Sequence, residues 1–228
     1  TGQGQLGRLL EEVGRLPGRF RIRLSSLDPR DLNPPLQEAL SKSKKVCHHL
    51  HLSLQSGADS VLKRMNRGYT TEYYAQQVRE VRRFWPDLGL TTDWIVGFPG
   101  EEETHFQESL AFCPPMRFAR VHLFSFSPRR GTTAWAFQEK VPQEVIRKRV
   151  RQLRQVAAQT AVAYQQSLLG TSQEVLLEEE SLLRRSGYIG PFVPVELEGR
   201  GEPGQLVPVR IQEAAQGGLK GKIIPCHP

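Results

Sequence analysis

The chain has 228 residues, 38% hydrophobic and 24% charged, which is too apolar for a disordered tail and enough to bury a core. Lys and Arg outnumber Asp and Glu by 31 to 24, and the net charge of +7 fits either a polyanionic partner or a merely soluble basic surface. No apolar run reaches the roughly 18 residues of a membrane span, and residues 1–10 lack the basic-then-apolar pattern of a secretory signal, so membrane insertion and secretion are disfavoured.

Apolar residues at 6, 9, 10 and 13 have helical spacing, and Pro17-Gly18 ends that helix. Residues 20–24 alternate apolar with basic and predict a strand, stopped by Ser25-Ser26-Leu27-Asp28-Pro29. Pro34-Pro35 opens a helix carrying Leu36, Ala39 and Leu40. The cycle repeats with a strand over 49–54, a loop over 55–59, a short helix over 60–65 and a longer one over 71–84 capped by Thr70 or Thr71. A strand over 88–96 closes on Gly97-Phe98-Pro99-Gly100. A helix over 101–112 then has carboxylates crowding its first turn, where the helix dipole favours them. A fourth strand covers 119–126, and Ser127-Pro128-Arg129-Arg130-Gly131-Thr132 breaks it.

Strands alternating with helices predict parallel βα units, and four strands are too few to close a barrel. The fold class expected is therefore α/β: an incomplete parallel (βα) barrel. Residues 143–167 form one long helix, with Ile146, Val150, Leu153, Ala157 and Tyr164 on one face and Arg147, Arg151 and Arg154 on another. That basic stripe is either a solvated face or a phosphate contact. After Gly170, short apolar runs at 174–177, 192–195, 206–211 and 219–224 lie between Gly-rich or polar turns and predict a small antiparallel β-barrel or sandwich. The boundary falls between 1–167, with 25 basic and 16 acidic residues, and 168–228, with 6 and 8, so electrostatic attraction resides in the first part.

Cys47, Cys113 and Cys226 are odd in number and scattered, which fits neither a disulfide framework nor a metal knuckle and points to the reducing cytoplasm. Cys47-His48-His49-x-His51 admits zinc, but alternation sends His49 and His51 to one strand face, where packing or hydrogen bonds suffice. The chain opens on Thr1 rather than Met, directly into a helix, and is expected to be a piece of a longer polypeptide.

In a parallel βα sheet, ligands gather at the carboxyl ends of the strands, where loops and helix N-termini present free backbone N–H groups. The four predicted strands end in Ser25-Ser26, Gln55-Ser56-Gly57, Gly97 to Glu101 and Ser125 to Pro128, so all four tips should line one rim. Glycines 57, 97 and 100 would let a ligand approach the backbone.

These strings, in order, resemble the MiaB-like methylthiotransferases, radical S-adenosylmethionine enzymes that modify tRNA. The matching stretches are residues 21–29, 51–59, 61–70, 91–101 and 126–132. Within them Leu24-Ser25-Ser26-Leu27-Asp28-Pro29 is most similar to the MtaB-like subfamily, which acts on N6-threonylcarbamoyladenosine next to the tRNA anticodon. Gln55-Ser56-Gly57 differs from the Gln-His of the branch that modifies a ribosomal protein. The resemblance implies a partial barrel holding S-adenosylmethionine and a 4Fe-4S cluster, then a TRAM domain, the family's small RNA-binding β-barrel, over 168–228. It further implies that the reduced cluster cleaves S-adenosylmethionine to a deoxyadenosyl radical and that the enzyme inserts a methylthio group at carbon 2 of the base, with tRNA and a sulfur donor as partners. The oligomeric state is left open.

Departures are Ser53, Arg130 and Thr133 where the family usually has Pro. A larger one is that the Cys-x3-Cys-x2-Cys motif that ligates the catalytic cluster is missing. The expectation is that the cluster ligands lie upstream of Thr1, that this chain is a carboxyl-terminal portion, and that alone it is inactive.

The cofactor-contact candidates are Ser26, Gln55, Ser56, Asp93, Gly97 and Glu101, since hydroxyl, amide and carboxylate groups suit a ribose or an ammonium and Gly97 leaves room for adenine. Asp93 alternatively bonds a neighbouring loop, and Glu101 alternatively serves its helix N-terminus. For RNA the candidates are Arg129 and Arg130 on the rim loop, Arg147, Arg151 and Arg154 on the long helix, and Tyr188, which stacks a base or packs in a core. A noncatalytic RNA-binding module and a MiaB-type enzyme acting on N6-isopentenyladenosine are the competing readings. A (βα) barrel enzyme using another cofactor has no supporting motif.

Overall fold

A computed structural model describes residues 5–178, 185–199, 201–215 and 217–224; Cys226 lies outside them. Two large hydrophobic cores organise these residues, with a small third cluster of Ala58, Val61 and Phe98. The first half alternates helices α1 (Gln5–Arg15), α2 (Pro34–Lys42), α3 (Asp59–Arg64), α4 (Thr71–Phe84) and α5 (Glu103–Met116) with strands β1 (Ser26–Leu27), β2 (His49–Leu52), β3 (Gly89–Val96) and β4 (Arg120–Ser125). The strands form one parallel sheet in the order β1-β2-β3-β4. Helix α6 (Gln143–Ser167) then packs against β4, β3 and α5.

Period-2 alternation divides the sheet into two faces. Leu27, Leu50, Leu52, Leu90, Trp94, Val96, Val121 and Leu123 point to the helices and join Leu36, Leu40, Tyr74, Phe106, Ile146 and Leu153 in the main core. Ser26, His51, Thr91 and Arg120 follow one another across the opposite face by register, with Asp93 and His122 paired one step along. This polar face is the one turned away from the helices of the main core.

Residues 20–24 are not a strand. Ile22 makes only an isolated parallel bridge to Val46, and β1 is the next two residues. The alternation there serves another purpose: Arg21 and Arg23 reach across to the second core, donating to Glu174 and to the carbonyl of Gly190. Strand β2 ends at Leu52, two residues early, and the chain rejoins the sheet at Gln55, bridged to Trp94. Helix α5 runs past the expected end at 112 through Pro114 and Pro115 to a left-handed cap at Arg117.

The second core is a closed five-stranded barrel of β5 (Ser172–Leu177), β6 (Arg185–Tyr188), β7 (Pro194–Glu198), β8 (Leu206–Ala215) and β9 (Gly218–Ile223), in the order β5-β6-β7-β9-β8. It is not wholly antiparallel, since β7 and β9 run parallel. Strand β6 carried no sequence signal. Gly187 sits where a side chain would strike the Leu176 carbonyl, so the position that makes the strand illegible is the one that lets it pair closely. Val175, Ile189, Val195, Val209 and Ile211 fill this barrel, and Tyr164 from α6 joins them.

The cores meet along a seam at the amino ends of the strands. Tyr164 donates its hydroxyl to the Asp87 carbonyl at 3.1 Å, and Arg23 stacks 3.7 Å from the centre of the Phe192 ring. Glu174 accepts from Arg19 and Arg21, both at 3.0 Å. Burial alone would raise the Glu174 carboxyl, but those two bonds outweigh it and hold it below the usual carboxylate range. A group with a depressed folded pKa stabilises above its unfolded value and loses that contribution as pH falls through its folded one. Glu174→Gln should therefore lower the melting temperature by a few degrees at pH 7 and leave it unchanged at about pH 3, a difference that thermal melts at the two pH values will read.

Candidate cofactor and nucleic-acid site

The strand tips do reach one edge. Ser26 and Ser53 share a hydroxyl hydrogen bond at 2.9 Å, Gln55 donates its N–H to Asp93 and accepts one from Ile95, and Phe126 donates to Val96. Gln55 holds φ at +73°, a left-handed conformation uncommon for a residue with a side chain and one that concentrates at functional loops. Beside it opens a 430 Å³ cleft, whose wall includes Gln55, Asp93, Ile95, Phe124, Phe126 and Arg129. Phe124 is 51% exposed, an apolar ring presented to whatever occupies the cleft.

The six cofactor candidates separate. Gln55 and Asp93 line the cleft, whereas Ser26 is exposed on the rim at the far strand. Ser56 is fully buried and accepts the Ala58 N–H, so its hydroxyl faces protein. Gly97 has φ +80°, but the space beside its α-carbon is filled by Ile146. The same holds at Gly57, filled by Trp94 and Ser109, and at Gly100, filled by Arg64. A side chain at any of these three glycines would meet neighbouring protein atoms, so each lets protein pack on protein.

Glu101 is also turned inward. Its side chain is 3% exposed and accepts from Arg149 at 2.8 Å and from the Gly97 N–H at 3.2 Å. Arg149 donates in addition to the Glu101 carbonyl at 2.8 Å and to Glu103 at 3.1 Å. Burial pushes the Glu101 carboxyl up, opposed by Arg149, and the pair ties the turn after β3 to α6. The alternative expected for Glu101, serving its helix N-terminus, is not the arrangement found: its partners are the Gly97 N–H and Arg149.

Arg149 was missed. The buried positions of α6 are Ile146, Arg149, Leu153, Ala157, Thr160 and Tyr164, spaced by three and four, so Arg149 lies on the apolar stripe and its burial was legible there. Among the RNA candidates, Arg129 lines the cleft and Arg130 lies 5.9 Å from the Trp135 ring. Arg147, Arg151 and Arg154 are exposed along the outer face of α6. Tyr188 is half-buried, edge-on to Phe192.

The donor set suits one implied cofactor and not the other. Asp93 offers an acceptor for ribose or ammonium, Arg129 a partner for a carboxylate, and Ile95, Phe124 and Phe126 an apolar wall, a combination that S-adenosylmethionine can use. An iron-sulfur cluster does not fit the described residues. They contain no group of three metal-ligating side chains, Cys47 and Cys113 are both buried, and burial pushes the Cys113 thiol up to about 12.

Comparison with known proteins agrees with the fold. Residues 1–113 match the family model of the radical SAM superfamily. The threonylcarbamoyladenosine tRNA methylthiotransferase MtaB of Thermotoga maritima is 36% identical over 94% of this chain and 49% of its own length. The MtaB of Chlamydia pneumoniae is 37% identical over 98% of the chain and 53% of its own length. The tRNA-2-methylthio-N(6)-dimethylallyladenosine synthase of Desulfitobacterium hafniense is 35% identical over 94% and 49%. The chain thus spans about half the length of the curated relatives it matches. Coproporphyrinogen III oxidase of Escherichia coli, a radical SAM enzyme, superposes with a TM-score of 0.55 at 15% identity, over 93% of this chain and 51% of its own, a likeness of fold alone. Residues 1–113, which carry β1, β2 and β3, therefore match the radical SAM superfamily, and 94% or more of the chain is similar to the MtaB- and MiaB-type tRNA methylthiotransferases.

Proposed function

We propose that this chain provides the cofactor-facing wall and the small RNA-facing barrel of a tRNA methylthiotransferase that modifies carbon 2 of N6-threonylcarbamoyladenosine. One observation carries the reading: sequence similarity to enzymes named for that reaction runs through both cores, over 94% of the chain, and not through the sheet alone. The units are taken as 1–167 and 168–228. S-adenosylmethionine, when bound, supplies the methyl group and the carbon radical of such chemistry. The residues of this chain bind and orient it: Asp93 and Gln55 hold its polar groups, Phe124 and Phe126 exclude water, and Arg129 takes a carboxylate or an RNA phosphate. Arg130, the Arg147, Arg151 and Arg154 face and Tyr188 extend the surface offered to tRNA. The sequence has three scattered cysteines and no Cys-x3-Cys-x2-Cys motif, so in this reading the cluster ligands come from elsewhere in the enzyme and the 228 residues alone are inactive.

The relatives include both substrate types at 35–37% identity, so the isopentenyladenosine reading keeps a specific observation behind it. Deleting the gene that carries this chain and analysing tRNA nucleosides by mass spectrometry separates the readings. The expected result is loss of 2-methylthio-N6-threonylcarbamoyladenosine and accumulation of its unmethylthiolated precursor. Loss of the isopentenyl product instead would reassign the substrate, and no change in either would leave a noncatalytic RNA-binding role.

A further inference from the structure

Beside Asp93, the polar face of the sheet carries His49, His51, Thr91 and His122, to which the proposed function assigns no role. His49 Nε2 lies 3.0 Å and His51 Nδ1 3.1 Å from the same oxygen, Thr91 Oγ1. His51 Nε2 faces Asp93 Oδ2 at 3.4 Å. His122, the register partner of Asp93 on β4, has its ring centre 5.7 Å from that of His51.

For a neutral His51, proton counting allows one arrangement. A lone pair on His51 Nε2 would face a carboxylate oxygen, so that nitrogen carries the proton, and a neutral His51 must then accept at Nδ1. The acceptor's partner is the Thr91 hydroxyl, whose single proton is thereby spent. Thr91 in turn accepts, and the donor is His49 Nε2–H. His49 Nδ1 is left as a bare acceptor, in agreement with its being buried and without a hydrogen-bond partner. His49 stays neutral because burial, and after it the charge of Arg23, push it down to about 4. The charged and titratable groups around the row are Arg23 before β1, Asp93 on β3, and Arg120 and His122 on β4, with His122 itself lowered by burial.

We infer that His49, Thr91 and His51 form a one-directional hydrogen-bond relay that fixes the Asp93 carboxylate as an acceptor at the floor of the cleft, which makes His51 and Thr91 positioning residues for a donor group of the bound ligand. The inference rests on the cofactor reading above only for the ligand, the hydroxyl or ammonium of S-adenosylmethionine. The relay itself stands on geometry.

Long-range proton–nitrogen correlation spectra of the nitrogen-labelled chain at pH 7 read the tautomers with no ligand present. Both His49 and His51 should be neutral Nε2–H tautomers, and Thr91→Val should leave His51 averaging between its two tautomers while Thr91→Ser restores the single form. Titration with S-adenosylmethionine, followed by calorimetry, should then show affinity about three- to ten-fold weaker for Thr91→Val, as expected for one misplaced hydrogen bond, and recovered by Thr91→Ser. A His51 Nδ1–H tautomer, or tautomers indifferent to Thr91→Val, would overturn the relay. Equal affinity of the wild type and Thr91→Val would overturn the positioning role. Failure of the wild type to bind S-adenosylmethionine would overturn both the cofactor reading and the ligand assigned to the relay, the tautomers still deciding whether the relay exists.

Discussion

Arg149→Met should destabilise the chain by about 3–5 kcal/mol, because it leaves the Glu101 carboxylate buried without its counter-charge. The two side chains are 5% and 3% exposed and meet at 2.8 Å, so neither has water to fall back on. Methionine keeps most of the volume, which separates loss of charge from loss of packing. Glu101→Gln in the Arg149→Met background removes the stranded charge and should recover a large part of the loss. Denaturant unfolding of the wild type, the single variants and the double variant measures the coupling. If Arg149→Met costs less than about 1 kcal/mol, the pair does not clamp the turn.

How far the sequence revealed this site depends on what kind of signal each residue leaves. Helices α4 and α6 were read to the residue, since their apolar spacing is local, as is the Thr70 or Thr71 start of α4. The rim was legible for the same reason: strand ends carry turn residues, and a parallel sheet brings those ends together. Side-chain direction was not legible. Ser56 and Glu101 sit in rim motifs, yet the fold points one into Ala58 and the other at an arginine 48 residues away. Thr91, His51 and His122 leave only an alternation that a strand of any function would show, and their meeting depends on the register between β2, β3 and β4. The first strand failed because Arg21 and Arg23 alternate with apolar residues for the sake of the seam, a contact more than 150 residues distant in the chain.

Gly97→Ala should be the second most damaging single change, and it acts on the same turn from its other end. Its backbone sits at φ +80°, where a β-carbon costs about 1–2 kcal/mol on conformation alone. That carbon would also overlap the Ile146 side chain, which belongs to the main core and is fixed by the packing of α6 on the sheet. Relief requires the helix to move or the turn to open, so overpacking adds about 1–3 kcal/mol more. Opening the turn would withdraw the Gly97 N–H from Glu101 and loosen the carboxylate held by Arg149. A total near 2–5 kcal/mol follows, and unfolding in denaturant will measure it. Gly97→Ala combined with Ile146→Ala separates the two causes: the double variant regains the steric part and keeps the conformational part. If the double variant is no more stable than the sum of the singles predicts, the contact with Ile146 is not what excludes a side chain at Gly97, and that space is open to a ligand after all.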